Sequence, residues 1–298
     1  MKTKGKIFIA FILNFFFSIF EFIGGIITGS VAIASDAVHD FGDALSIGIS
    51  YFLERLSDKK PNEKYTYGYA RFSVLGGLIT TLILLVSSII IIYNAILRII
   101  NPTPIDYDKM IIFAIVGLIV NLVATYFTHG GKSINQKAVN LHMLEDVLGW
   151  AVVLVGAILM RFTSLYIIDP ILSIVVALFI IINSLKNLKE ILDIFLIKKP
   201  KDIDYDHLIS HLKEIDGVID VHHIHIWSLD GLLHCATIHV VSDSNDIQLK
   251  GKIKQELHEH GIVHSTIEME KKEEECSEKD CQINHVSHSH HHCHHHHH

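Results

Sequence analysis

Six apolar runs, each close to the roughly 20 residues that a helix needs to cross a bilayer, fill the first two-thirds of this 298-residue chain. They cover about Ile7–Ile27, Val31–Leu53, Val74–Ile96, Met110–Phe127, Leu141–Arg161 and Leu165–Leu185. A mean hydropathy of +0.38 agrees, because a soluble domain of this length rarely averages so apolar. The first run, with its basic start and Ala32-Ile33-Ala34, imitates a signal peptide. It is too long for one, contains Glu21 and leads almost directly into the second run, so it is read as a span.

Basic residues in short loops orient the spans. Lys2, Lys4 and Lys6 precede span 1; Arg55, Lys59, Lys60, Lys64 and Arg71 follow span 2. Lys132 and Lys137 separate spans 4 and 5, and Lys186, Lys189, Lys198, Lys199 and Lys201 follow span 6. The other side holds only Arg98, Lys109 and Arg161, so both termini are expected in the cytoplasm and the chain in the cell membrane.

After Lys199-Pro200 the pattern becomes that of a soluble protein. Leu208, Ile209, Leu212 and Ile215 give a helix over Asp204–Ile215. Val218–Ser228 and Leu233–Val241 alternate as strands around Asp230-Gly231, Asp246–His260 reads as a helix ended by Gly261, and Ile262–Glu270 as a third strand. The expected fold is an α-helical membrane protein of six transmembrane helices (1–199) with a small cytoplasmic α+β domain of order αββαβ (200–271). A tail over 272–298 completes the chain. That tail holds ten of the 23 histidines and Cys276, Cys281 and Cys293, and reads as disordered without metal. Cysteines beside imidazoles point to metal capture rather than a disulfide framework. A net charge of −7 argues against a nucleic-acid partner.

Two matching motifs inside spans carry the chemistry. Span 2 contains His39-Asp40-Phe41-Gly42-Asp43 and span 5 contains His142-Met143-Leu144-Glu145-Asp146. Each sets a His and an Asp four residues apart, on one helix face. Ionisable groups inside a bilayer are expensive and mark a pathway or a site. Two imidazoles and two carboxylates make a tetrahedral shell suited to Zn²⁺, whereas Mg²⁺ or Ca²⁺ prefers more oxygen. Asp36, Asp40 and Glu145 lie near but are left outside this shell. In the α+β domain, His222, His223 and His225 on the first strand, His239 on the second, and His264 and Glu270 on the third offer a further cluster. His223 and His234 read as ordinary strand histidines.

With these segments, Ser35–Asp43, Tyr65-Thr66-Tyr67-Gly68-Tyr69-Ala70-Arg71, His142–Asp146 and Val221–Leu229, the chain resembles the cation diffusion facilitator family over about residues 7–270. The resemblance implies a homodimeric metal/proton antiporter with a metallochaperone-like cytoplasmic domain. It implies that His39, Asp43, His142 and Asp146 form the transport site, with Zn²⁺ as the preferred ion. It also implies that His222, His239, His264 and Glu270 hold a regulatory Zn²⁺, and that Arg71 pairs with Asp193. The family's extra ligands between spans 2 and 3 are replaced here by Asn62, Tyr65 and Tyr69. Two other classes stay open, a membrane-anchored metal sensor or buffer and an intramembrane metalloenzyme, although no His-Glu-x-x-His motif is present. Nor is there a Gly-x-x-x-x-Gly-Lys-Ser/Thr loop for an ATP-driven pump.

Overall fold

The computed structural model describes residues 3–28, 31–101, 107–130, 132–163, 168–243 and 247–272. The expected tail, with its cysteines and His285–His298, lies outside them. Six long helices come first: α1 Thr3–Thr28, α2 Val31–Ser57, α3 Arg71–Ile100, α4 Tyr107–Thr128, α5 Ile134–Thr163 and α6 Ile168–Phe195. Among the described residues, α1, α3, α4 and α5 are long and apolar enough to cross a membrane. Most of the helices outrun the apolar runs that announced them, and α6 continues ten residues past Leu185. Hydropathy senses only the segment that needs lipid, whereas the helical hydrogen-bond ladder continues into polar sequence. Asp169-Pro170 sits in the first turn of α6, where proline's missing N–H costs nothing.

The helical unit reverses the arrangement of a soluble core. Asn14, Ser46, Thr80, Ser88, Asn121 and His142 are buried, while Phe16, Phe52, Ile89, Ile112, Val175 and Ile182 face outward. Such a surface suits hydrocarbon, and the polar groups inside must satisfy one another. Asn135 of α5 donates to Ser50 O at 3.0 Å and Glu54 Oε2 at 2.9 Å, and Ser73 Oγ donates to the same carboxylate oxygen at 2.6 Å. Helices α2, α3 and α5 are thereby tied together. Small residues allow the close approach: a Cβ on Gly76 would meet the Asn135 side chain at 2.9 Å, and one on Gly117 of α4 would meet the Trp150 ring at 2.5 Å. The expected Arg71–Asp193 pair does not form. Lys198 reaches Asp193 at 3.1 Å from one turn further along, leaving Arg71 exposed.

The α+β unit comprises Lys199–Trp227 with the described residues from His234 onward. Its elements are α7 Tyr205–Glu214, β1 Asp220–Ser228, β2 His234–Val241, α8 Ile247–Glu259 and β3 Ile262–Glu270. The sheet order is β1-β2-β3, with β2 and β3 parallel. Asp204 caps α7 by accepting the His207 N–H at 3.2 Å. Leu208 and Leu212 of α7 and Ile253 and Leu257 of α8 pack on Ile226, Ile238, Val240 and Ile267. The two helices therefore cover one face of the sheet.

One irregularity re-aims β1. Strict alternation would set Val221 opposite Ile224 and Ile226, yet Val221 and Ile226 are core residues and Ile224 packs against them. The switch falls at His223, whose φ of 48° is rare for a residue with a Cβ and marks a local bulge. It turns His222 away from the core.

Truncating the core tests this packing. Ile253→Ala should destabilise an isolated 200–271 fragment by about 2–5 kcal/mol, read by urea denaturation. Lys213 hydrogen-bonds to Asp220 at 2.8 Å and holds that carboxyl below its ordinary range. This contribution is present above the unfolded value near pH ~3.9 and is lost as pH falls through the folded one. In Lys213→Met, the Asp220 carboxyl should titrate at higher pH by NMR, and an unchanged midpoint would refute the assignment.

Candidate functional site

Helices α2 and α5 bring Asp43, His142 and Asp146 together. One ligand atom from each lies within 4.8 Å of the others. His142 is 1% exposed and neither ring nitrogen makes a hydrogen bond. Its Nε2 stands 3.9 Å from Asp43 Oδ2. A buried imidazole normally has a partner for at least one nitrogen, so the Nε2 beside Asp43 is open to a cation. Tetrahedral Zn²⁺ takes nitrogen and oxygen ligands at about 2.0–2.2 Å, and these three groups are of the type such an ion takes. The fourth expected ligand, His39, belongs to α2 four residues before Asp43, but its side chain lies outside the described residues.

The surroundings separate ligand from support. Asn14 of α1 donates to Asp146 Oδ2 at 3.1 Å and orients that carboxylate, a role beyond the plain interhelical contact its sequence position suggests. Glu145 turns to α3, where it accepts from Ser88 Oγ at 3.1 Å. Its place outside the shell thus has a geometric cause, since the residue before Asp146 points about 100° away around the helix. In the loop between α2 and α3, Asn62 donates to the Tyr69 hydroxyl at 2.8 Å and its Oδ1 accepts from two backbone N–H groups. These residues build the loop itself.

In the α+β unit, His222, His239 and Glu270 converge on the sheet face away from the helices. In the β2–β3 register His239 pairs with Glu268, so Glu270 lies two residues along on the same side. His239 Nδ1 approaches Glu270 Oε1 to 2.5 Å, and His222 Nε2 stands 3.0 Å from Glu270 Oε2. Neither His222 ring nitrogen makes a hydrogen bond. Two imidazoles and a carboxylate sharing one point suit the same class of ion.

His264 does not join them. It pairs with Cys235, four residues before Glu268 on β3. Although it shares their face, about 13 Å of strand separates it from Glu268. Sequence spacing gave the face but not the distance. His223 stacks on His239 with ring centroids 4.6 Å apart, so it supports the cluster from the side. His234 is held by Asp202 at 3.0 Å, and His225 is exposed.

The 200–271 fragment should bind Zn²⁺ at micromolar concentration by calorimetry. His222→Ala/His239→Ala should lower the affinity of this cluster at least tenfold, a change of about 1.4 kcal/mol, read as the weakening of one binding event. His264→Ala should leave it unchanged.

Comparison with known proteins places the chain in a family. The family model of the cation efflux transmembrane domain matches residues 7–196. The cadmium, cobalt and zinc/H(+)-K(+) antiporter of Bacillus subtilis (strain 168) is 33% identical over 277 residues, 90% of this chain and 89% of that protein. Zinc transporter ZitB of Pectobacterium atrosepticum is 33% identical, covering 94% of this chain and 88% of its own. Metal cation efflux system protein CzcD of Cupriavidus metallidurans is 32% identical, at 88% and 85% coverage. A multi-pass helical architecture, a buried His/Asp cluster on two facing helices and these likenesses converge: the chain belongs to the cation diffusion facilitator family of metal-efflux transporters.

Proposed function

We propose that this protein exports Zn²⁺ from the cytoplasm in exchange for protons, binding it in the membrane at Asp43, His142 and Asp146 with His39 as the fourth ligand. The observation that carries the reading is His142, buried, without a hydrogen bond, and facing two carboxylates. Imidazole and carboxylate ligands bind metal only when deprotonated, so loading Zn²⁺ releases protons. Reprotonation from the far side favours release of the ion there. One site visited alternately from two sides then couples the two flows without hydrolysis. The mixed nitrogen and oxygen shell favours Zn²⁺ and its neighbours over Mg²⁺ or Ca²⁺. Two of the relatives are named for zinc transport, one of them together with cadmium and cobalt, which supports the same class of ion.

In this reading all six helices span the cell membrane, and residues 1–199 form the transport domain. The basic loops keep both termini in the cytoplasm. Residues 200–271 form a cytoplasmic metallochaperone-like domain through which two copies pair. The cluster His222, His239 and Glu270 holds a regulatory Zn²⁺ there. Its donor set fits such an ion, since three groups of the right type already face one point.

In proteoliposomes, Asp43→Ala and Asp146→Ala should each lower Zn²⁺ flux by more than the roughly 10–100-fold that losing a ligand's hydrogen-bond partner costs. Expression and dimer formation should persist. Wild-type flux should rise with a proton gradient directed against metal movement and collapse with a protonophore. Near-normal flux in either variant would sink the site.

A further inference from the structure

The α+β unit carries a second set of imidazoles that the reading above does not use. His207 and His211 sit four apart on α7, and Glu256 and His260 sit four apart at the end of α8. The His260 N–H still bonds Glu256 O at 3.1 Å, so the helical turn extends through it before Gly261 breaks away. On α7, the stripe formed by His207 and His211 adjoins the buried Leu208–Leu212 stripe, which places it along the seam with α8.

Three of the four groups already meet. His211 Nδ1 lies 2.9 Å from Glu256 Oε1, His260 Nε2 lies 3.3 Å from the same oxygen, and the two nitrogens are 3.2 Å apart. Ligands about 2.0–2.1 Å from a tetrahedral Zn²⁺ stand about 3.3 Å from one another. This triangle is therefore close to one face of such a tetrahedron. A single proton on each ring cannot account for all three edges. Whichever tautomers are chosen, one contact sets proton against proton or lone pair against lone pair. His207 supplies the remaining corner: its ligand atom is within 4.8 Å of those of His211 and His260, and its ring is 4.1 Å from that of His211.

We propose that His207, His211, His260 and Glu256 form a separate surface site for a borderline-soft divalent metal such as Zn²⁺. It lies across the helix layer from the His222 cluster, with the apolar core between them. His207 is exposed, so the ion exchanges directly with solvent. Three imidazoles and one carboxylate select Zn²⁺-like ions over Mg²⁺ and Ca²⁺.

Diethylpyrocarbonate labelling of the full chain in detergent, resolved peptide by peptide with free Zn²⁺ buffered, tests the site while keeping tail histidines separate. At a free Zn²⁺ concentration of about ten times the dissociation constant, only the unliganded fraction reacts. His207, His211 and His260 should then label about tenfold more slowly. His258, exposed on the same turn of α8, should keep its rate. Glu256→Gln should shift the protection of His207 and His260 to higher Zn²⁺, and His222→Ala/His239→Ala should leave it in place. Equal labelling with and without Zn²⁺, or slowing no greater than at His258, overturns the proposal. So does protection that vanishes with the His222/His239 variant.

Discussion

The cost of placing ionisable groups away from water organises the helical unit. Within it His142, Asp43, Glu145 and Glu54 are buried. Each demands a partner, and the partners come from other helices: Asn14 of α1 on Asp146, Ser88 of α3 on Glu145, and Ser73 and Asn135 of α3 and α5 on Glu54. These contacts fix which faces of α1, α2, α3 and α5 turn inward, where apolar residues alone would let helices rotate in lipid. What the network leaves unsatisfied is the His142 ring. Single oxygens such as those of Ser46 and Thr80 also lack a partner, but His142 alone among these buried groups is an unbonded imidazole facing two carboxylates.

A common geometry recurs in both units. Residues four apart on a helix point the same way, so two helices that meet at such residues bring several donors close together. Asp43 with His142 and Asp146 do so between α2 and α5; His207 and His211 with Glu256 and His260 do so between α7 and α8. The settings differ in consequence. The first is enclosed, with His142 and Asp43 buried between helices. The second borders solvent through the exposed His207. The strand cluster uses another device, the period-two alternation of β2 and β3 that puts His239, Glu268 and Glu270 on one face.

Much was legible before any coordinates. Long apolar runs and the turns at Asp230-Gly231 and Gly261 set the element order, because each is a local property of the chain. Asp43, His142 and Asp146, three of the residues that the paired motifs singled out, do meet, since spacing along a helix fixes the direction of a side chain. Helix ends past the apolar windows were less legible, because nothing in hydropathy marks where a hydrogen-bond ladder stops.

The sequence by itself determined which segments become helices and strands, which side chains share a helix face, and the family to which the chain belongs. Tertiary structure alone decided which of those faces meet. His264 lies on the correct face yet four residues along the strand from Glu268, a matter of register between strands. His222 reaches His239 and Glu270 because the backbone at His223 enters the left-handed region, and no residue type in Val221-His222-His223-Ile224 announces that turn. The meeting of His211, Glu256 and His260 depends on how α7 packs on α8 through Leu208, Leu212, Ile253 and Leu257. Spacing along one element is set by its own backbone, but convergence between elements is set by side-chain packing over long sequence separation, and only the folded chain resolves it.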